Sequence, residues 1–97
     1  MVIIRVQYRT RPGCREAFVR ALREEQIAAR TRTEPGNLEY TFSVPIGDGE
    51  TVCLLERWEN EEALIPHPAQ PHFLRLQEIK AQYVADTVLE RYAATEL

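Results

Sequence analysis

The residues best equipped for chemistry in this chain are one acid and two histidines. Glu56 lies in TVCLLERWE, where alternation puts it on one face with Val52, Leu54 and Trp58. Burying an ionised carboxylate without a partner is costly, so Glu56 must be paired, hydrogen-bonded or raised in pKa. A raised pKa beside aromatic walls suits a general base acting on a phenolic substrate. The plainer alternative is an ion pair with an arginine or histidine that fixes the core. His67 and His72 lie in IPHPAQPHF, residues 65–73, which has three prolines and neither glycine nor charge. Each proline restricts itself and the residue before it, so this is a stiff turn. It should hold both histidines at a pocket rim, where either orients a substrate hydroxyl or holds Glu56. For His72 the alternative is a helix N-terminal residue bonded to backbone. A metal site is not expected, because helical ligand pairs want i,i+4 spacing and these two are five apart across two prolines.

Tyr8, Tyr40, Phe42, Trp58 and Phe73 supply rings for an aromatic substrate pocket, although each singly would serve as core packing. Glu25, an acid on the apolar stripe of the first helix, either completes an acid pair with Glu56 or reaches solvent at the stripe's edge. Cys14 sits near a helix N-terminus, where a thiolate is favoured, but a small filler role is the expected one.

These side chains need elements to hold them. VIIRVQYRT alternates Val2, Ile4, Val6 and Tyr8 with Arg5, Gln7 and Arg9, the pattern of a half-buried strand. After Pro12-Gly13 the period turns helical to about Thr33. Phe18, Ala21, Leu22, Ala28 and Ala29 form its stripe, while Arg20, Arg23 and Ile27 point away. EPGN then ends the helix. LEYTFSV alternates again, with Leu38, Tyr40, Phe42 and Val44 on one face. PIGDGE carries an Asp-Gly turn signal, which makes TVCLLERWE the second strand of a hairpin. Asn60 is an N-cap for a short helix, EEALI. Pro71 suits the first turn of a last helix running to about Val84, with Phe73, Leu76, Ile79 and Tyr83 as its stripe. DTVLERY makes a fourth strand.

The order is β-α-β-β-α-β, the ferredoxin-like α+β plan. A four-stranded antiparallel sheet with helices on one face is expected, as one domain over residues 1–97. The other face carries Ile3, Cys53 and Leu55 among Arg5, Gln7, Thr41 and Ser43, too apolar in places for water alone. A second copy related by a two-fold axis is the simplest cover, giving a homodimer through the sheet face.

With 44% hydrophobic and 28% charged residues, the chain reads as an ordinary globular protein. No apolar run approaches the roughly 20 residues of a membrane span, and no signal-peptide core is present, so a cytoplasmic location is expected. Cys14 and Cys53 are far apart with no metal spacing and are expected as free thiols. Net charge is −3, yet residues 1–33 hold eight arginines against three glutamates. Arg20, Arg23 and Arg30 lie opposite the helix stripe, and Glu16 stands four residues before Arg20, so a solvated helix face explains them. Nucleic acid would need a basic surface with matching motifs, and TVCLLERW lacks the pattern of an RNA-binding sheet. No Gly-rich phosphate loop, GxGxxG or GxSxG occurs.

EPGNLEYTF, LLERWE and HPAQPHF, in this order and spacing, resemble the antibiotic biosynthesis monooxygenase domain family over essentially the whole chain. The resemblance implies the dimeric α+β barrel, in which two ferredoxin-like sheets face each other. Characterised members include cofactor-independent oxygenases of quinols and polyphenols, haem-degrading enzymes and an isomerase of a sugar-phosphate-like signal. Haem-degrading members share an asparagine, a tryptophan and a histidine at positions where this chain has Val6, Trp58 and Gln77, so haem degradation is disfavoured. The asparagine that some polyketide-quinol oxygenases carry is replaced by Leu54.

The leading expectation is an oxygenase of an electron-rich aromatic such as a quinol, using dioxygen and no cofactor. The protein then supplies a base, Glu56 or a histidine, and a water-poor aromatic cavity. A non-catalytic dimeric binding module is the alternative from another class. An isomerase of a phosphorylated metabolite is a third, for which the helix-facing positions offer few cations.

Overall fold

The computed structural model describes all 97 residues, Met1–Leu97. Four strands, β1 (Val2–Thr10), β2 (Asn37–Ser43), β3 (Thr51–Trp58) and β4 (Val84–Ala93), form one antiparallel sheet in the order β2-β3-β1-β4. Helices α1 (Arg15–Glu24), α2 (Ile27–Thr31), α3 (Glu61–Leu64) and α4 (Pro71–Tyr83) pack on one face, with a 3₁₀ turn at His67–Ala69. This is the ferredoxin-like α+β fold that the sequence predicts. No helix is long and apolar enough to cross a membrane.

The pleat sorts the core. Val2, Ile4, Val6 and Tyr8 of β1 and Val52, Leu54 and Trp58 of β3 point toward the helices and are buried, meeting Phe18 and Leu22 of α1 and Leu76 and Ile79 of α4. Asn60 caps α3 through a bond from the Ala63 N–H to its side-chain oxygen at 2.9 Å.

The long first helix is in fact two. Gln26 adopts a left-handed backbone at φ 54°, which interrupts the helix between α1 and α2. A non-glycine residue there costs about 1 kcal/mol. The gain is a re-phased stripe: Ile27, expected to point away, is fully buried together with Thr31 one turn later. The predicted pairing of Glu16 with Arg20 does not form; neither side chain has an ion-pair partner.

A second departure is a bulge in β2. Asn37 pairs with Trp58 and Glu39 with Arg57, so Leu38 is the extra residue and is exposed rather than inward. The Asn37 amide stabilises the bulge by donating to the Glu39 carbonyl at 3.1 Å. Val44, beyond the strand's end, is also exposed.

The open face of the sheet carries half-buried Ile3, Cys53 and Leu55, with exposed Val88 and Tyr92 of β4 in register beside Gln7 and Ile3. Ion pairs Arg5–Glu90, Arg9–Asp86 and Arg57–Glu39 lie among them.

Candidate functional site

Glu56 occupies the centre of the helix-facing side of the sheet. On β3 it pairs with Ile4 of β1 on one side and Tyr40 of β2 on the other. It is 6% exposed, and no lysine, arginine or histidine forms an ion pair with it. Its one hydrogen bond comes from the Trp58 indole N–H, 3.1 Å from Oε1. Burial pushes the Glu56 carboxyl up to about 7; the Trp58 bond opposes that shift and the negative Glu34 adds to it. The same burial, with the Glu56 charge nearby, pushes the Tyr8 and Tyr40 phenols well above their ordinary values.

Rings surround this acid. Tyr40 and Phe42 meet edge to face at 5.5 Å, as do Tyr8 and Phe18. The Lys80 ammonium lies 5.4 Å above the Tyr8 ring, and burial lowers its pKa. Trp58 packs its indole against His67 at 5.0 Å, and Phe73 meets the same imidazole edge to face at 5.0 Å.

The two histidines are buried as well, but they do not hold Glu56. His67 Nδ1 lies 2.6 Å and His72 Nε2 2.7 Å from Oε2 of Glu34, whose side chain is only 8% exposed. A carboxylate can only accept, so each imidazole donates from that nitrogen. Burial keeps the His67 pKa below its ordinary value despite the two favourable effects of Glu34, so its neutral form dominates near pH 7. His72 thus bonds a carboxylate rather than the backbone. The result is a continuous line of contacts: Glu56 to Trp58, Trp58 to His67, and both histidines to Glu34.

Glu34 is the residue that the sequence reading missed. It stands in EPGN, there a mere helix stop, and the fold turns this stop into a rigid mount. The Glu34 N–H donates to Thr31 O at 3.0 Å, and its carbonyl accepts from Asn37 N at 3.1 Å. Gly36, at φ 84°, lets the chain pass so close to α3 that a Cβ there would lie 2.4 Å from Ala63 Cβ. One signal was available: two histidines in an uncharged segment need an acceptor from elsewhere, and an acid beside Pro-Gly is a candidate.

Glu34, His67 and His72 also form a donor set of the kind that holds zinc or non-haem iron, with their ligating atoms within 4.8 Å of one another. Helical spacing could not reveal this, because the donors come from three separate elements. Two ligands of one zinc ion, each about 2.0–2.1 Å from it in tetrahedral geometry, stand about 3 Å or more apart. Separations of 2.6 and 2.7 Å are those of proton-bridged pairs. Metal binding would need both contacts to open.

Glu25 does not join Glu56. The break at Gln26 leaves it at the end of α1, where it forms an ion pair with Arg75 of α4 at 3.1 Å and stays partly exposed. A cavity of about 480 Å³ opens between α1, α2 and the β2–β3 edge, lined in part by Val19, Leu22, Phe42 and Val52. Of the expected pocket residues only Phe42 lines it. Glu56 lies further along the sheet, with Leu54 and Tyr40 between it and the cavity.

The fold and the buried acid place this chain among small ferredoxin-like α+β proteins with an aromatic-walled interior. The antibiotic biosynthesis monooxygenase family model matches residues 1–79, and the chain belongs to that family. It is 27% identical over 73 residues, 75% of each chain, to a Bacillus subtilis (strain 168) protein named "Putative monooxygenase YcnE". It also resembles the solved structure titled "Putative antibiotic biosynthesis monooxygenase from Nitrosomonas europaea", with TM-score 0.89, 21% identity and coverage of 99% and 100% of the two chains. Rv0793 from Mycobacterium tuberculosis superposes with TM-score 0.84 at 26% identity, covering 99% of this chain and 96% of that one.

Proposed function

We propose that this protein is a monooxygenase of a quinol or other electron-rich aromatic, working without a cofactor, with Glu56 as the base. The observation that carries the reading is Glu56 itself: a carboxyl with a pKa of about 7, no cationic partner and aromatic neighbours. A base poised near the working pH is best matched to removing a phenolic proton. Glu56 takes the hydroxyl proton, and the resulting quinol anion reduces dioxygen by electron transfer. Recombination at a ring carbon gives a hydroperoxide, whose O–O bond breaks to leave a hydroxyquinone and water. One quinol and one dioxygen balance one hydroxyquinone and one water, so no second reductant is needed. The His67–Glu34–His72 group holds the wall behind Trp58 in place.

Oxygen uptake by metal-free protein across a quinol panel, with mass analysis of the product, tests this reading. Uptake above the uncatalysed rate, falling about 100-fold or more in Glu56→Gln, supports it. Uptake no faster than buffer for every quinol overturns it.

The binding-module reading has one observation in its favour, the cavity that ends at Phe42 short of Glu56. It predicts saturable ligand binding with no turnover. In either case we propose a homodimer joined through the open sheet face, where Ile3, Leu55, Val88 and Tyr92 gather, and action in the cytoplasm, consistent with two free thiols.

A further inference from the structure

We infer that the cavity beside α1 and α2 binds an amphipathic monoanion: an apolar or aromatic body carrying one anionic head group. Leu22 and Val52 form its buried floor, and Val19, Ala28 and Phe42 add half-buried apolar walls. At about 480 Å³ it falls within the range of small-molecule sites. Its lip is cationic, with Arg23 and Arg32 among the lining residues and no aspartate or glutamate. That bias runs against the chain as a whole, whose net charge is −3.

The pairing pattern of the arginines sharpens the argument. Every arginine outside residues 20–32 either forms an ion pair with a carboxylate or donates to a backbone carbonyl. Arg20, Arg23, Arg30 and Arg32 have no such partner, and two of the four border the cavity. Unpartnered guanidinium groups above an apolar floor complement a ligand with a greasy body and a charged end, because the planar fork suits a carboxylate or phosphate. Exposed arginines alone hold a free inorganic anion weakly; the apolar floor supplies the rest of the affinity. The left-handed turn at Gln26, another lining residue, separates α1 from α2 at this lip.

This site stands apart from the oxygenase reading, since Glu56 does not line it and binding is read without turnover. The experiment is calorimetric titration of the full chain with 2-naphthoate and with its neutral analogue 2-naphthamide, at low salt. Naphthoate should bind about tenfold tighter or better, and Arg23→Gln/Arg32→Gln should abolish the difference. Arg20→Gln/Arg30→Gln removes the same charge away from the lining and should preserve it. These four side chains are exposed, so circular dichroism should show folded variants. Equal affinity for the two probes, no saturable binding of naphthoate, or equal loss in both double variants overturns the inference. So does a change of sedimentation mass in Arg23→Gln/Arg32→Gln with naphthoate affinity intact, which assigns the cavity to a second copy.

Discussion

Trp58 donates its indole N–H to Oε1 of Glu56, two residues back on the same face of β3, at 3.1 Å. The bond is local, since alternate strand residues share a face, and it is all the hydrogen bonding the carboxyl receives. One donor cannot offset the loss of water around a carboxylate, which is why Glu56 stays protonated far above the ordinary range.

The first consequence is a pH-dependent stability with a defined sign. Unfolded Glu56 titrates near its ordinary value, whereas the folded carboxyl holds its proton to about 7. Between those points the folded state binds more protons, so stability falls as pH rises, by about 3 kcal/mol in all from this group. Glu56→Gln should therefore stabilise the fold above pH 7 and lose that advantage near pH 4. Urea melts of both proteins across this range measure the difference. His67 acts in the opposite sense: its lowered pKa makes stability fall as pH drops through about 6.5, and the difference curve cancels it.

Removing the indole donor should move Glu56 the other way from a rescue. Trp58→Phe keeps a ring against His67 but deletes the bond to Oε1, so the carboxyl titrates higher still, as carboxyl carbon NMR would follow. A loss of about 2 kcal/mol in stability should accompany it. An unchanged titration would show that the bond does not act on Glu56.

Glu34→Gln is expected to be among the more damaging changes outside the apolar core. Both buried imidazoles donate to the one oxygen Oε2, and the substitution replaces that charged acceptor with a neutral amide carbonyl, which weakens both bonds at once. The expected cost is about 2–3 kcal/mol in thermal or urea unfolding. Gly36→Ala should cost about 2 kcal/mol or more by a different route, combining a left-handed backbone with overlap on Ala63.

The open sheet face makes its own prediction. Leu55→Arg places an unpaired charge across from Arg5 and beside Arg57 on a surface proposed to meet its own copy, and sedimentation equilibrium should report a dimer for the unsubstituted chain and a monomer for the variant. Identical masses would remove that surface from the interface.

Much of this architecture was written in the alternation of β1 and β3, whose parity alone put Glu56, Trp58 and Tyr8 inward. The strands were legible because each has one buried face and a side-chain period of two. The break at Gln26 was not, since neither glycine nor proline marks it and the burial of Ile27 decides it at tertiary level. Glu25 followed from that miss, because its partner Arg75 lies on another helix. Glu34 was hidden for the same reason: its bonds reach 33 and 38 residues along the chain, and no local pattern encodes them. Local periodicity placed the acid that the proposed chemistry needs, and long-range packing chose the group that holds its surroundings.

The most direct test of Glu56 as the base is the pH dependence of quinol oxygenation, followed as oxygen uptake by the metal-free protein. The rate should rise through an apparent pKa near 7 and level off, and Glu56→Gln should lose that inflection together with the activity. A rate that is the same in Glu56→Gln, with the inflection retained, would contradict the account.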